Sequence, residues 1–183
     1  LCAERLGAPV LAAEAYHHIL SVQPGHPKAT RILRDLLVQS GDYAALERLY
    51  GGMNAWDDLC DILYGAADRM PTVDDKVGVL TRVARLCEGP MNQPEKAVKA
   101  YERMLALVSA GAERDPRAAE VAAKLLPLYQ ASEKWPRLLS VHEILLEAER
   151  EPAARLARID AIRALCEDKL GSKAAAFTWA SKG

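Results

Sequence analysis

Aromatic residues make up only 5% of the 183-residue sequence, with a single Phe. No run rich in Val, Ile, Thr and aromatics alternates with period two, so nothing supports a half-buried strand or a sheet. The four cysteines, Cys2, Cys60, Cys87 and Cys166, lie far apart with no CxxC pair. That spacing argues against a disulfide framework or a cysteine-rich zinc site and favours buried, reduced thiols. No stretch of about 20 apolar residues is present to span a bilayer, and no basic start followed by an apolar centre marks a signal peptide. Charge of one sign is also missing: 24 basic and 25 acidic residues leave a formal charge of −1. No global field would draw such a chain onto nucleic acid or anionic lipid, so nucleic acid is disfavoured as a partner and membrane insertion is not expected. GxxxxGK[ST] is absent, GxGxxG does not follow a strand, and Gly51-Gly52 reads as a turn, which removes the phosphate-cradling loops.

What remains is helix-forming. Half the residues are apolar, and Ala, Leu, Glu, Arg and Lys dominate. Apolar positions recur at steps of three and four in Trp56, Leu59, Leu63, Ala67 and Met70, and again in Val77, Leu80, Val83 and Cys87. The same stripe runs through Ala97, Tyr101, Met104 and Val108, and through Leu156, Ile159, Ile162 and Cys166. Start signals fall where stripes begin: Asn54 with Asp57, Thr72 with Asp75, and Asp115 before Pro116. The spacing predicts helices over 8–22, 27–40, 42–51, 54–70, 73–88, 94–109, 116–131, 135–149, 152–169 and 172–181. Short connections carrying Pro or Gly make successive helices antiparallel. Pro127 lies inside one of them and is expected to kink it near Ala123 at a cost of about 3 kcal/mol.

The sequence also repeats itself. Leu1-Cys2 recurs as Leu86-Cys87 and as Leu165-Cys166, and Trp56 with Leu59 recurs as Trp135 with Leu138. The offset from Trp56 to Trp135 and from Leu86 to Leu165 is 79 residues, whereas Leu1 to Leu86, Tyr16 to Tyr101 and Leu20 to Leu105 stand 85 apart. A unit of that length holds two helical hairpins, because one repeat of a solenoid cannot bury its apolar face alone. The expected fold is all-α: an α-α superhelix of about five antiparallel hairpins over residues 1–183. A start at Leu1, in what reads as the middle of a helix, suggests a fragment of a longer repeat protein; a cytoplasmic location is expected.

Ala12, Tyr16 and Pro24, followed by Leu33, Leu37, Gly41-Asp42-Tyr43, Leu46 and Tyr50, resemble the tetratricopeptide repeat. Ala97, Tyr101 and Leu105 give a second match, and Ala175 with Trp179 resembles a truncated last copy. Pro116 falls later than the family's closing Pro after Tyr101, which implies a longer helix or loop over 106–115, and the Trp56 and Trp135 hairpins depart from the pattern. The resemblance implies a right-handed superhelix whose concave groove, lined by first helices, holds an extended peptide or a helix of a partner. In carboxylate-binding members a Lys or Arg and an Asn grip the peptide terminus. Here the matching helix offers Arg31 and, in place of the Asn, Asp35, which would repel a carboxylate. By resemblance the protein-binding residues are Arg31, Arg34 and Asp35.

Other constellations carry weaker chemistry. His17-His18, His26 and His142 could contribute metal ligands, but adjacent helical residues diverge by about 100° and no second cluster has ligand spacing. Cys87 and Cys166 recur at one repeat position, as small packing residues do, so neither reads as a nucleophile. Asp57-Asp58 and Asp74-Asp75 suit helix starts. The repeated Trp56 and Trp135 read as packing between hairpins and not as exposed hot spots. Arg150, Arg155, Arg158 and Arg163 are interleaved with Glu147, Glu149, Glu151 and Asp160, which reads as a solvated face. The expected function is therefore a protein–protein interaction scaffold that is not an enzyme and uses no cofactor or metal. The rivals are an RNA-associated helical module and a structural spacer that self-associates through exposed solenoid ends.

Overall fold

Each apolar stripe becomes one helix in the computed structural model, which describes residues 9–23, 25–111 and 115–182. In chain order these are α1 (Pro9–Val22), α2 (Pro27–Ser40), α3 (Tyr43–Gly52), α4 (Trp56–Arg69) and α5 (Val73–Glu88). Then come α6 (Pro94–Ser109), α7 (Arg117–Ala131), α8 (Trp135–Ala148), α9 (Pro152–Ala164) and α10 (Lys173–Ala180). A π-helical turn, Leu165–Lys169, continues α9. No strand occurs among the described residues. The all-α helical-repeat arrangement read from periodicity is what the chain adopts. Leu1-Cys2 and Pro24 lie outside the described residues.

Local chemistry sets the helix starts. Thr72 caps α5: its Oγ1 accepts from the Asp75 N–H at 3.1 Å, and its hydroxyl donates to Asp75 Oδ2 at 2.7 Å. Asp42 caps α3 by accepting from the Ala45 N–H at 2.9 Å, and Glu151 caps α9 through the Ala154 N–H at 2.6 Å. Asp115 accepts from the Arg117 N–H at 2.9 Å, just ahead of α7. Asn54 departs from its expected role. It sits two residues before α4 with φ 52°, and its Oδ1 accepts from Trp56 Nε1 at 3.0 Å, so it makes the turn instead of capping the helix. Helix α7 runs unbroken through Pro127; Ala123 and Pro127 are both exposed, which leaves the Ala123 carbonyl open to water.

Left-handed residues punctuate the chain. Gly41, Asn54, Asn92, Glu133 and Gly171 all have positive φ, and each stands two residues ahead of a helix. The residue five places further on is buried in each of these, Leu46, Leu59, Ala97, Leu138 and Ala176; Gly25, with φ 85° ahead of α2, is the exception, followed by half-buried Thr30. One turn geometry is thus reused to lower a small or aliphatic side chain into the core.

The 79-residue repeat is also written in backbone hydrogen bonds. Ala55 N donates to Tyr50 O at 2.9 Å, and Lys134 N donates to Tyr129 O at 3.0 Å. Likewise Met91 N bonds Leu86 O and Leu170 N bonds Leu165 O, both at 3.1 Å, while Gln93 N reaches Cys87 O at 2.7 Å and Ser172 N reaches Cys166 O at 2.8 Å. Every pair of partners is related by the same offset.

The chain divides into two units, residues 1–66 and 67–183, the division falling within α4. In the first, α1 packs on α2 and α2 on α3. Ala12, Leu33, Leu46, Leu59 and Leu63 form its interior, and the Trp56 ring lies over Gly51. In the second, each helix from α5 to α10 packs against the next, burying Leu80, Val83, Met104, Leu125, Val141 and Ile162. Fully burying one such side chain is worth about 1.5–3 kcal/mol. Cys60, Cys87 and Cys166 are buried thiols among these residues.

Candidate functional site

Arg31, Arg34 and Asp35 lie on α2, whose buried face is Ala29, Leu33 and Leu37. Arg31 and Asp35 are exposed and Arg34 is half-buried. The Arg34 Nε and Nη2 both donate to Asp35 Oδ1, at 2.8 and 2.7 Å, and this raises the guanidinium pKa. Arg34 also approaches Tyr50 on α3, whose hydroxyl pKa is raised chiefly by burial. The structure therefore brings Arg34 and Asp35 together as a neutral pair and leaves Arg31 outside it.

A more extended feature lies in the second unit, along α6. Glu102 and Arg103 are neighbours in sequence but reach in opposite directions. Arg103 donates through Nη2 to Asp68 Oδ1 in the last turn of α4, and Glu102 Oε1 accepts from Arg137 Nη1 on α8. Helix α6 therefore has α4's last turn on one side and α8 on the other. Asp68 and Glu102 stand 34 residues apart, as do Arg103 and Arg137.

Three hollows adjoin along the surface between these pairs. The first, of about 280 Å³, is lined by Asp68, Lys76, Leu80, Arg103, Ala106 and Ala110 among others. The second, of about 350 Å³, shares Ala106 and adds Glu102, Leu105, Tyr129, Val141 and Ile144. The third, of about 640 Å³, shares Ser109 and Ile144 with the second and extends to Pro116, Glu147 and Arg150. Their shared residues make one groove with a floor of small and aliphatic side chains and charged residues at its margins. The floor is open because α6 carries Ala at 106 and ends on Ala110, where longer side chains would fill it.

Burial and pairing set the electrostatics. The Tyr129 hydroxyl donates to Glu102 Oε1 at 2.8 Å, so one carboxylate oxygen serves both Tyr129 and Arg137. Burial first, then the Glu102 hydrogen bond, raise the Tyr129 pKa, and Arg137 opposes them. Tyr101 is pushed up to about 12 by burial and by its 3.0 Å bond to Glu88. At the margin of the third hollow, Arg117 Nε donates to both oxygens of Asp115, at 2.9 and 3.0 Å, and Nη1 pairs with Asp74 at 2.8 Å. The hydrogen bonds from the Arg117 side chain and backbone lower the Asp115 pKa.

No family model matches the sequence. No curated protein matches it either. Among solved structures, the crystal structure of BtubC (BKLC) from P. vanneervenii is similar at 15% identity. The match covers 98% of this chain and 88% of that one, with a TM-score of 0.43.

The remaining sequence candidates fall elsewhere. His17 and His18 are exposed on α1, and His26 accepts from the Ala29 N–H at 3.2 Å as the cap of α2. His142 is half-buried beside Arg158. Among the described residues no three His, Cys, Asp or Glu side chains gather as a metal-holding group. Arg155 hooks the end of α8 by donating to Leu146 O at 2.8 Å and Glu149 O at 2.9 Å, while Arg163 pairs with Asp160 and Glu167. These arginines are engaged within the chain. No helix among the described residues is long and apolar enough to cross a membrane. Sequence reasoning missed Glu102, Arg103, Ala106 and Arg137. The available signal was an adjacent acid–base pair recurring against an acid and a base at 34-residue spacing.

Proposed function

We propose that this chain is a protein–protein interaction scaffold that takes an extended peptide or a helix of a partner along the α6 groove. The observation that carries this reading is the adjoining run of hollows over Ala106, Ser109 and Ile144, with an apolar floor and charged margins. Such a floor rewards burial of apolar side chains, while the Arg103–Asp68 and Arg137–Glu102 pairs at its margins set register without demanding a strong opposite charge. The 34-residue spacing of the ion pairs equals the tetratricopeptide period, which agrees with the resemblance read from the sequence. Arg31, Arg34 and Asp35 remain secondary candidates on α2, where a self-neutralised pair favours hydrogen bonding over capture of a charged terminus. The proposal assigns catalysis to no side chain.

A peptide library panned on the chain, counter-selected against Ala106→Glu, tests it. Ala106 is exposed, so Glu at that position fills the groove without disturbing the core. Peptides that bind the native chain and lose at least about tenfold in affinity on the variant would support groove binding. Selected peptides indifferent to Ala106→Glu, or none at all, would leave the chain a spacer.

A further inference from the structure

The charges that line the α6 groove cancel over its whole length, but they are not spread evenly along it. At the first hollow Lys76 and Arg103 stand against Asp68 alone, an excess of one positive charge. At the second, Glu102 and Arg137 cancel. At the third, Asp115 and Glu147 stand against Arg150, an excess of one negative charge. Arg117, which holds Asp115, also holds Asp74, so counting both of these neighbours leaves that excess unchanged. Apolar side chains floor each hollow: Leu80 and Leu107 in the first, Leu105 and Val141 in the second, Val108 and Ile144 in the third. The first and second hollows share Ala106, and the second and third share Ser109 and Ile144. A positive end, a neutral middle and a negative end thus follow one another along a floor divided into three apolar seats.

We infer that the groove takes an extended peptide segment of a partner protein whose two ends carry opposite charge: an acidic end over Lys76 and Arg103, apolar side chains in the three hollows, and a basic end over Asp115 and Glu147. This inference rests on the groove-binding reading above and adds which charge lies at which end. Three hollows in a row suit an extended chain, whose side chains on one face recur at every second residue. Charge sets the placement more than the strength. An exposed ion pair changes affinity by up to about fivefold, so burial in the hollows supplies the binding and the end charges discriminate against a segment of one sign. A uniformly acidic segment gains at Lys76 and loses at Glu147, and a uniformly basic one does the reverse.

The test uses three short, end-blocked, fluorescently labelled peptides that share a core of Leu alternating with Ser. One carries paired Glu at one end and paired Lys at the other, one carries paired Glu at both ends, and one carries paired Lys at both ends. Titrated against the whole chain by anisotropy at low salt, the mixed-charge peptide should bind at least about threefold more tightly than either single-sign peptide, and the difference should shrink at about 0.5 M salt. A carbodiimide, which couples carboxylates to amines, should join its Glu end to Lys76 and its Lys end to Glu147. Lys76→Glu makes both ends of the groove negative, so the peptide with Lys at both ends should then become the tightest, a reversal that damage to the fold would not produce. Lys76 stands in the first turn of α5, where an added acid suits the helix dipole. A single-sign peptide that binds the native chain as tightly as the mixed one, with Ala106→Glu still abolishing both, overturns the inference and leaves groove binding standing. No saturable binding of any peptide, or binding indifferent to Ala106→Glu, overturns both. A native dimer in sedimentation that Ala106→Glu dissociates gives the groove to a second copy and overturns the inference equally.

Discussion

Asn54 and Glu133 stand 79 residues apart and hold the same left-handed backbone, φ 52° and φ 53°. The Trp that follows two residues later, Trp56 or Trp135, begins the next helix at both places. Glycine fills the corresponding left-handed position at Gly41 and Gly171, with φ 73° and 64°. Glu133 is thus the least suited occupant, since a side chain in this region costs about 1 kcal/mol and Glu gains no local hydrogen bond from it. Glu133→Gly should raise stability by about 0.5–1 kcal/mol in urea denaturation. Asn54→Gly should gain less, or lose, because it removes the bond from Trp56 Nε1 to Asn54 Oδ1. Equal gains at both positions would show that the Trp56 bond contributes nothing.

Gly51 and Gly52 make a second contrast within two residues. A Cβ at Gly51 would come within 2.5 Å of the Trp56 ring, whereas one at Gly52 meets nothing within 4 Å. Ala at a helical Gly is worth up to about 1 kcal/mol. Gly52→Ala should therefore stabilise the chain. Gly51→Ala must displace the Trp56 ring, and overpacking of this kind typically costs about 1–3 kcal/mol. A net loss of about 1 kcal/mol is expected, limited because Gln130 occupies the equivalent place ahead of Trp135 and shows that the Trp has another seat. Thermal melts of the two variants should move in opposite directions.

These turns also mark how far the sequence could be read. Helix positions were legible because the three-and-four spacing of Leu59, Leu63 and Ala67, or of Ile159, Ile162 and Cys166, reports burial directly. The turn role of Asn54 was not, because Asn suits both a helix cap and a left-handed turn, and the choice depends on where the Trp56 indole N–H lies. The groove was harder still. Ala106 and Ala110 read as ordinary helix formers, and only the separation of α6 from its flanking helices turns a small side chain into an open floor. The charged pairs that border it join residues 35 apart, across two intervening turns, where no local pattern points from one partner to the other.

Three thiols should be silent in the folded chain. Cys60 is 6% exposed, Cys87 1% and Cys166 0%, and burial also raises the Cys166 pKa, which holds it as the unreactive thiol. In a Cys2→Ser variant, a thiol reagent should therefore label nothing quickly under native conditions and all three sites in denaturant. Prompt labelling of Cys166 in the native state would mean that α9 and α10 separate easily.

His142 gives the chain a dependence on acid. Its Nδ1 and the Nε of Arg158 are both buried without hydrogen-bond partners, and the Arg158 charge bears on the ring. Burial, then the Arg158 charge, lower the His142 pKa below 6.5. The neutral imidazole is the folded form. Stability from this site is therefore fully present above the unfolded value of 6.5 and is lost as pH falls through the lower folded value, because the unfolded chain takes up the proton first. Replacing His142 with Leu removes both the proton uptake and an orphaned polar atom, so the variant should equal or exceed the native chain at about pH 5 and differ little at about pH 8. Urea denaturation at the two pH values reads the difference. A His142→Leu variant that loses stability equally at both would show that packing, and not protonation, governs the site.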